Sequence, residues 1–249
     1  IDDQQNIYFE TSNGLNTLWG GGVDYGQSIV KLSTANNSLS VADFFTPFDA
    51  TFLTQIDSDL SAFGIMLVPD QTDTPKHMLT AGNKKFGLYL LDRDNLGGFT
   101  PTDNSRALQA IPIPGGCPLE EGNIFGVTAY WQHQVFVWPC GVGLYSHRLY
   151  QGFLSASPIA TGPLAGAYPP PFPSVSANGD TNGIVWGINE HGYSTNTPAI
   201  LFAFDGANIS RVLYTSDQAG IRDQAGIAAK GPTPMIVNGK VYLGANGEL

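Results

Sequence analysis

Asp57 and Asp59 in QIDSDLSAFG, and the run DRDNLG (92–97) with Asp103 beyond it, are the oxygen-rich stretches from which chemistry could be built. Carboxylate and amide oxygens in such numbers suit a hard cation such as Ca²⁺. In the second stretch Leu96 stands where a loop ligand is needed, so that stretch reads as a hairpin turn. Asp57 and Asp59 also fit a bland reading, capping the start of a short helical turn or facing solvent. Lys84 and Lys85 in GNKKFG read as edge charges that discourage strand pairing, and Asn13 before Gly14 as a turn. His77, His133, His147 and His191 have no metal-ligand spacing. The chain holds no His-Glu-x-x-His, no phosphate loop and no Gly-x-Ser-x-Gly elbow. Cys117 and Cys140, 23 residues apart, match no metal spacing and read as one disulfide in an exported chain or two buried thiols otherwise.

Paired strands must position these residues. The first members are NIYFETSNG (6–14), HMLTAGNKKFG (77–87), QVFVWPCGVG (134–143), GIVWGINEHG (183–192) and KVYLGANGE (240–248). The second members start at 28, 88, 144 and 201, a step of 56 to 60 residues. A fixed period of this length marks a repeat architecture. The expected fold is all-β, a β-propeller of four-stranded antiparallel blades, with about four to five blades in this chain. AYPPPFPSV (167–175) is too rich in proline for a central strand and reads as a connection between blades. Trp131, Trp138 and Trp186 sit in or beside strands and read as core between blades rather than as a sugar-stacking platform. Asn246-Gly247 reads as a hairpin turn whose second strand is cut short at Leu249. Residues 1–249 therefore read as a single partial propeller domain that starts and ends inside a repeat. Upstream blades or another chain would complete it.

Composition agrees. Thirty glycines and 17 prolines with only 13% charged residues suit short strands and tight turns. A formal charge of −10 repels phosphate backbones and excludes nucleic acid as a natural partner. No stretch approaches the length of an apolar membrane span. Ile1 follows no Met, basic segment or apolar leader, so any signal peptide has been removed or lies upstream. Two glycosylation triplets, at Asn36 and Asn208, and a low lysine content fit an extracellular or periplasmic protein.

GLYLLDRDNLGGF, with DYGQSIVKLS, DFFTPFD and PTPMIVNGKVYLGANGEL, resembles the quinoprotein alcohol dehydrogenase-like propellers with PQQ-like repeats. The resemblance implies pyrroloquinoline quinone (PQQ) and calcium as cofactors and a small alcohol or sugar as substrate. It places Asn13 of IYFETSNG as a Ca²⁺ ligand and Asp59 as catalytic base and second ligand. Lys85 falls at the basic residue that contacts the quinone. In that chemistry Ca²⁺ polarises the quinone as a Lewis acid and the carboxylate takes the substrate proton. Two departures stand out: the family's vicinal cysteine pair is absent, and Ser58 replaces the aromatic residue before the catalytic Asp. The alternative is a non-catalytic secreted propeller that binds a glycan, peptide or protein partner. Under the enzymatic reading, Asn13, Asp59 and Lys85 must converge at the axial mouth. Cys117 and Cys140 are expected close together on either reading.

Overall fold

Strands form where the repeat places them. In the computed structural model, which describes residues 1–85, 87–118 and 123–247, the first member of each pair lies antiparallel to the second. The chain is all-β, with sheets of the four-stranded propeller-blade type, and it divides into two units. Glu248 and Leu249, where a second strand is expected after Asn246-Gly247, lie outside the described residues. No helix among the described residues is long and apolar enough to cross a membrane.

Unit 1 (Ile1–Pro112 with Gln151–Phe153) contains two sheets. In the first, β1 (Ile7–Glu10), β2 (Ile29–Ser33) and β3 (Ser40–Thr46) form an antiparallel meander. A short helix, α1 (Ala50–Gln55), follows. The second sheet contains β4 (Met66–Leu67), β5 (Met78–Asn83) and β6 (Gly87–Asp92). Here the chain departs from the simple repeat. After the turn at 92–97, β7 (Gly98–Phe99) leaves its own sheet and pairs in parallel with β3. Gly97 and Gly98, at φ +100° and +70°, turn the backbone out of the sheet, and Leu96 anchors it in the core with its N–H on Asp43. β8 (Gln109–Pro112) then completes the second sheet beside β6. Ile29, Phe45, Leu60, Leu79, Tyr89 and Leu91 fill the core.

Unit 2 (Ile113–Tyr150 with Leu154–Leu249) opens with β9 (Ala129–Trp131), β10 (Gln134–Val137) and β11 (Gly143–Tyr150). β12 (Phe153–Leu154) and β13 (Ala160–Ala165) both pair with β11. Of the expected connection 167–175, residues 167–173 are extended connection, as their prolines require, while Ser174 and Val175 already belong to the first strand of a complete meander. This runs β14 (Ser174–Asn178), β15 (Thr181–Asn189), β16 (Ile200–Asp205) and β17 (Asn208–Thr215), with the one-turn helix α2 (Gly192–Thr195) after β15. A hairpin, β18 (Met235–Val237) and β19 (Lys240–Tyr242), turns at Asn238-Gly239 with positive φ at both residues, the geometry this dipeptide favours.

Of Trp131, Trp138 and Trp186, the first two behave as core. Trp138 is 1% exposed and stacks against Phe202 and Phe204 at 5.8 and 5.3 Å. Both it and Trp131 lie over glycines of β15: a Cβ on Gly187 would come within 2.5 Å of the Trp138 ring, and one on Gly183 within 2.7 Å of Trp131. Gly187→Ala should therefore destabilise unit 2 by about 1–3 kcal/mol through overpacking, read as a fall in Tm. An unchanged Tm would show that Trp138 shifts freely. Trp186 is only half-buried and ties its indole N–H to Ser176.

Cys117 and Cys140 are joined, with Cα atoms 5.5 Å apart. The bridge fastens the connection before β9 to the end of β10, where Cys140 N–H meets the Asn123 carbonyl at 2.7 Å. Closing a loop of this length restricts the unfolded chain, so reduction should cost about 2–3 kcal/mol, read as a lower urea midpoint in dithiothreitol.

Candidate functional site

The site of interest lies in unit 1, in the loops that follow β1, α1 and β5. α1 ends in a backbone motif that fixes the first carboxylate. Ser58 N–H reaches back to Leu53 O and Asp57 N–H to Thr54 O, with Asp57 at φ +55° in the left-handed position just past the helix. The expectation that these aspartates cap a helix start is thus corrected: Asp57 sits at a helix end. Ser58 and Leu60 are both fully buried and pin the loop, leaving Asp57 and Asp59 to project together.

Between them stands Lys84. Its Nζ lies 2.6 Å from Asp57 Oδ2 and 2.6 Å from Asp59 Oδ2. The lysine side chain is 11% exposed and that of Asp59 16%, whereas Asp57 is open to solvent at 69%. Ser12 donates to the other Asp59 oxygen at 2.7 Å. Burial alone would raise the Asp59 pKa, but the hydrogen bonds from Lys84 and Ser12 outweigh it and hold the carboxyl below its ordinary value. Burial likewise disfavours the Lys84 ammonium, yet the two carboxylates more than compensate and its pKa is raised.

Asn13 joins the same cluster. Its Nδ2 donates to Asp57 Oδ1 at 2.9 Å and its Oδ1 accepts from Gln27 Nε2 at 2.8 Å. Gln27, fully buried and at φ +53°, braces the loop again by accepting Leu60 N–H at 3.0 Å. Lys85 does not join: its ammonium turns to the Ile56 carbonyl. The structure therefore brings Asn13 and Asp59 together, adds Asp57, Ser12, Gln27 and Lys84, and leaves Lys85 at the side.

Ca²⁺ takes a cage of several free oxygen ligands. Asn13 shows the carboxylates its amide nitrogen rather than its oxygen, both Asp59 oxygens accept hydrogen bonds, and an ammonium fills the space between the acids. As arranged, these residues do not fit the ion. Among the described residues no group of three or more His, Cys, Asp or Glu side chains is placed to hold a metal.

Two other carboxyls escaped the sequence reading. Glu10, at the end of β1, accepts the N–H groups of Gly64 at 2.9 Å and Gly82 at 3.4 Å. The residue is half-buried but its carboxyl is enclosed, and burial, only partly offset by those N–H groups, pushes its pKa up to about 8. Glu190, just past β15 and fully buried, accepts Gly231 N–H at 2.6 Å, and burial likewise pushes it to about 8. One signal for Glu10 was present: it shares a strand face with the half-buried Tyr8, a position where a carboxylate is costly to leave unpaired.

No protein-family model matches the chain, and no curated protein matches it. Among solved structures it is similar to the crystal structure of BamB from Moraxella catarrhalis, with 12% sequence identity and a TM-score of 0.43. The match covers 94% of this chain and 58% of that one, so the chain spans less than two thirds of that protein's length. A likeness of this size carries no functional argument.

Proposed function

We propose that the chain is part of a non-catalytic exported propeller that binds a glycan, peptide or protein partner through its loops. The observation that carries this reading is Lys84, whose ammonium neutralises Asp57 and Asp59 at 2.6 Å each. A general base needs a free carboxylate with its pKa near the working pH. Asp59 is instead hydrogen-bonded on both oxygens and held below its ordinary value. The Cys117–Cys140 bridge supports export, because such bonds persist in oxidising compartments. The test is a dye-linked oxidation assay over alcohols and sugars with added PQQ and CaCl₂, run beside glycan and peptide arrays. No turnover with saturable array binding is expected. Turnover that requires both PQQ and calcium would sink the reading.

The meeting of Asn13, Asp57 and Asp59 favours a second reading, the PQQ- and calcium-dependent dehydrogenase. It requires Lys84 to withdraw. Calcium should then raise the Tm of Lys84→Ala and leave the wild-type Tm unchanged on the first reading, whereas a calcium-induced rise in the wild type favours the second.

A further inference from the structure

A cavity of about 320 Å³ opens in unit 2, between the start of β16 and the segment Ser216–Asp223 that follows β17. Small-ligand sites begin at about 300 Å³, so the space is large enough for one. Pro198, Ala199 and Ile200 give it an apolar wall, and Ser216, Asp217 and Gln224 bring it polar groups. Two of those side chains are both open to contact and unspent. Gln224 is exposed, and its amide makes no hydrogen bond among the described residues. Asp217 is exposed as well. The Thr215 hydroxyl holds one of its oxygens and so fixes the carboxylate, while the other accepts nothing among the described residues. No lysine or arginine lines the cavity to neutralise it. Ser216 is buried at 5% exposure and accepts Leu201 N–H at 3.0 Å, which leaves its own hydroxyl hydrogen to donate.

We propose that this cavity takes a neutral pyranose, with ring hydroxyls on Asp217 and Gln224 and the C–H face of the ring along Pro198 and Ile200. A carboxylate only accepts, whereas an amide both donates and accepts; neighbouring hydroxyls meet both demands at once. An apolar wall with a few placed polar groups is the usual make-up of a small-ligand site. An anion would face Asp217 with no cation beside it, on a chain of net charge −10. A wholly apolar ligand would strip water from Asp217 and Gln224 and return no hydrogen bond. A peptide added as a strand needs free main-chain donors. Pro198 has no N–H, and that of Ala199 is taken by the Gly226 carbonyl at 3.0 Å. The inference rests on the binding-module reading and selects a glycan among its partners.

The test is NMR titration of the whole chain with the methyl glycosides of glucose, galactose and mannose, and with cyclohexanol. Saturable shifts are expected with at least one glycoside, confined to the amides of 197–200 and 216–224. Its affinity should exceed that of cyclohexanol by about tenfold and fall by about tenfold in Asp217→Ala and in Gln224→Ala, since each removes a hydrogen bond made by the ligand. Should Asp217→Ala unfold because Thr215 loses its partner, Gln224→Ala, at an exposed position, decides alone. No saturable binding of any of the three glycosides, equal binding of cyclohexanol, or binding that Gln224→Ala leaves unchanged overturns the proposal. Glycan or peptide binding on the arrays that both variants keep would overturn this site and leave the binding-module reading standing.

Discussion

Raising the pH from 5 to 8 should destabilise each unit by about 4 kcal/mol, and Glu10→Gln should abolish the effect in unit 1. The cause is a pair of enclosed carboxyls, Glu10 and Glu190, each pushed to about 8 by burial. In the unfolded chain a glutamate ionises near 4.5. Above that pH the unfolded state loses its proton while the folded state keeps it, so folding is disfavoured by about 1.4 kcal/mol per pH unit. The contribution is complete below the ordinary glutamate value and is lost as the pH rises through about 8. Asp59 acts in the opposite sense: its depressed pKa contributes stability that is lost when the pH falls below the ordinary aspartate range. Maximal stability should therefore lie near pH 5. Urea denaturation of the wild type, Glu10→Gln and Glu190→Gln at pH 5, 6, 7 and 8 measures it. Glutamine resembles the protonated acid and still accepts from Gly64 or Gly231. A wild-type profile that is flat or rises over this range would show that both carboxyls ionise freely in the folded protein.

Lys84→Met should cost about 3–4 kcal/mol at pH 7, because it leaves the partly buried Asp59 and its neighbour Asp57 facing each other without a cation. The lower end of the range applies because Asp57 is open to water and screened. Two further results separate this cause from lost packing of the lysine stem. The gap between wild type and variant should shrink as the pH falls and Asp59 protonates. The double variant Asp59→Asn with Lys84→Met should recover most of the loss. A gap of the same size at pH 3 and pH 7 would assign the effect to packing.

The strand pairs were legible because their turns and apolar runs recur at a near-constant step; β5–β6, β10–β11 and β15–β16 begin where that step puts them. The excursion of β7 was not, since a parallel pairing with β3 depends on two left-handed glycines and the long-range bond from Leu96 to Asp43. The choice between Lys84 and Lys85 was hidden for a related reason. Adjacent residues on a strand point to opposite faces, and the phase is normally read from polar–apolar alternation. Every residue of β5 is buried, so MLTAGN carries no alternation to extend into the lysines. Glu10 was obscured by Phe9, an exposed aromatic that blurs the polar–apolar alternation of IYFE and with it the face to which Glu10 belongs. Asp49 was not singled out in the sequence; it stands at the N-cap of α1 without making a capping bond, which only coordinates show.

The Glu10 carboxyl joins β1 to Gly64 and to Gly82 in β5, so a single proton sits on the seam between neighbouring repeats of unit 1. In repeat chains cooperativity arises from such nearest-neighbour terms rather than from the repeats themselves. Acidity then sets how the unit unfolds as well as how firmly it folds. With Glu10 protonated, the Gly64 and Gly82 amides should exchange with deuterium only in the opening that releases both sheets. Once the carboxyl ionises, the first sheet should open alone, and those two amides should exchange ahead of the interior of β5 and β6.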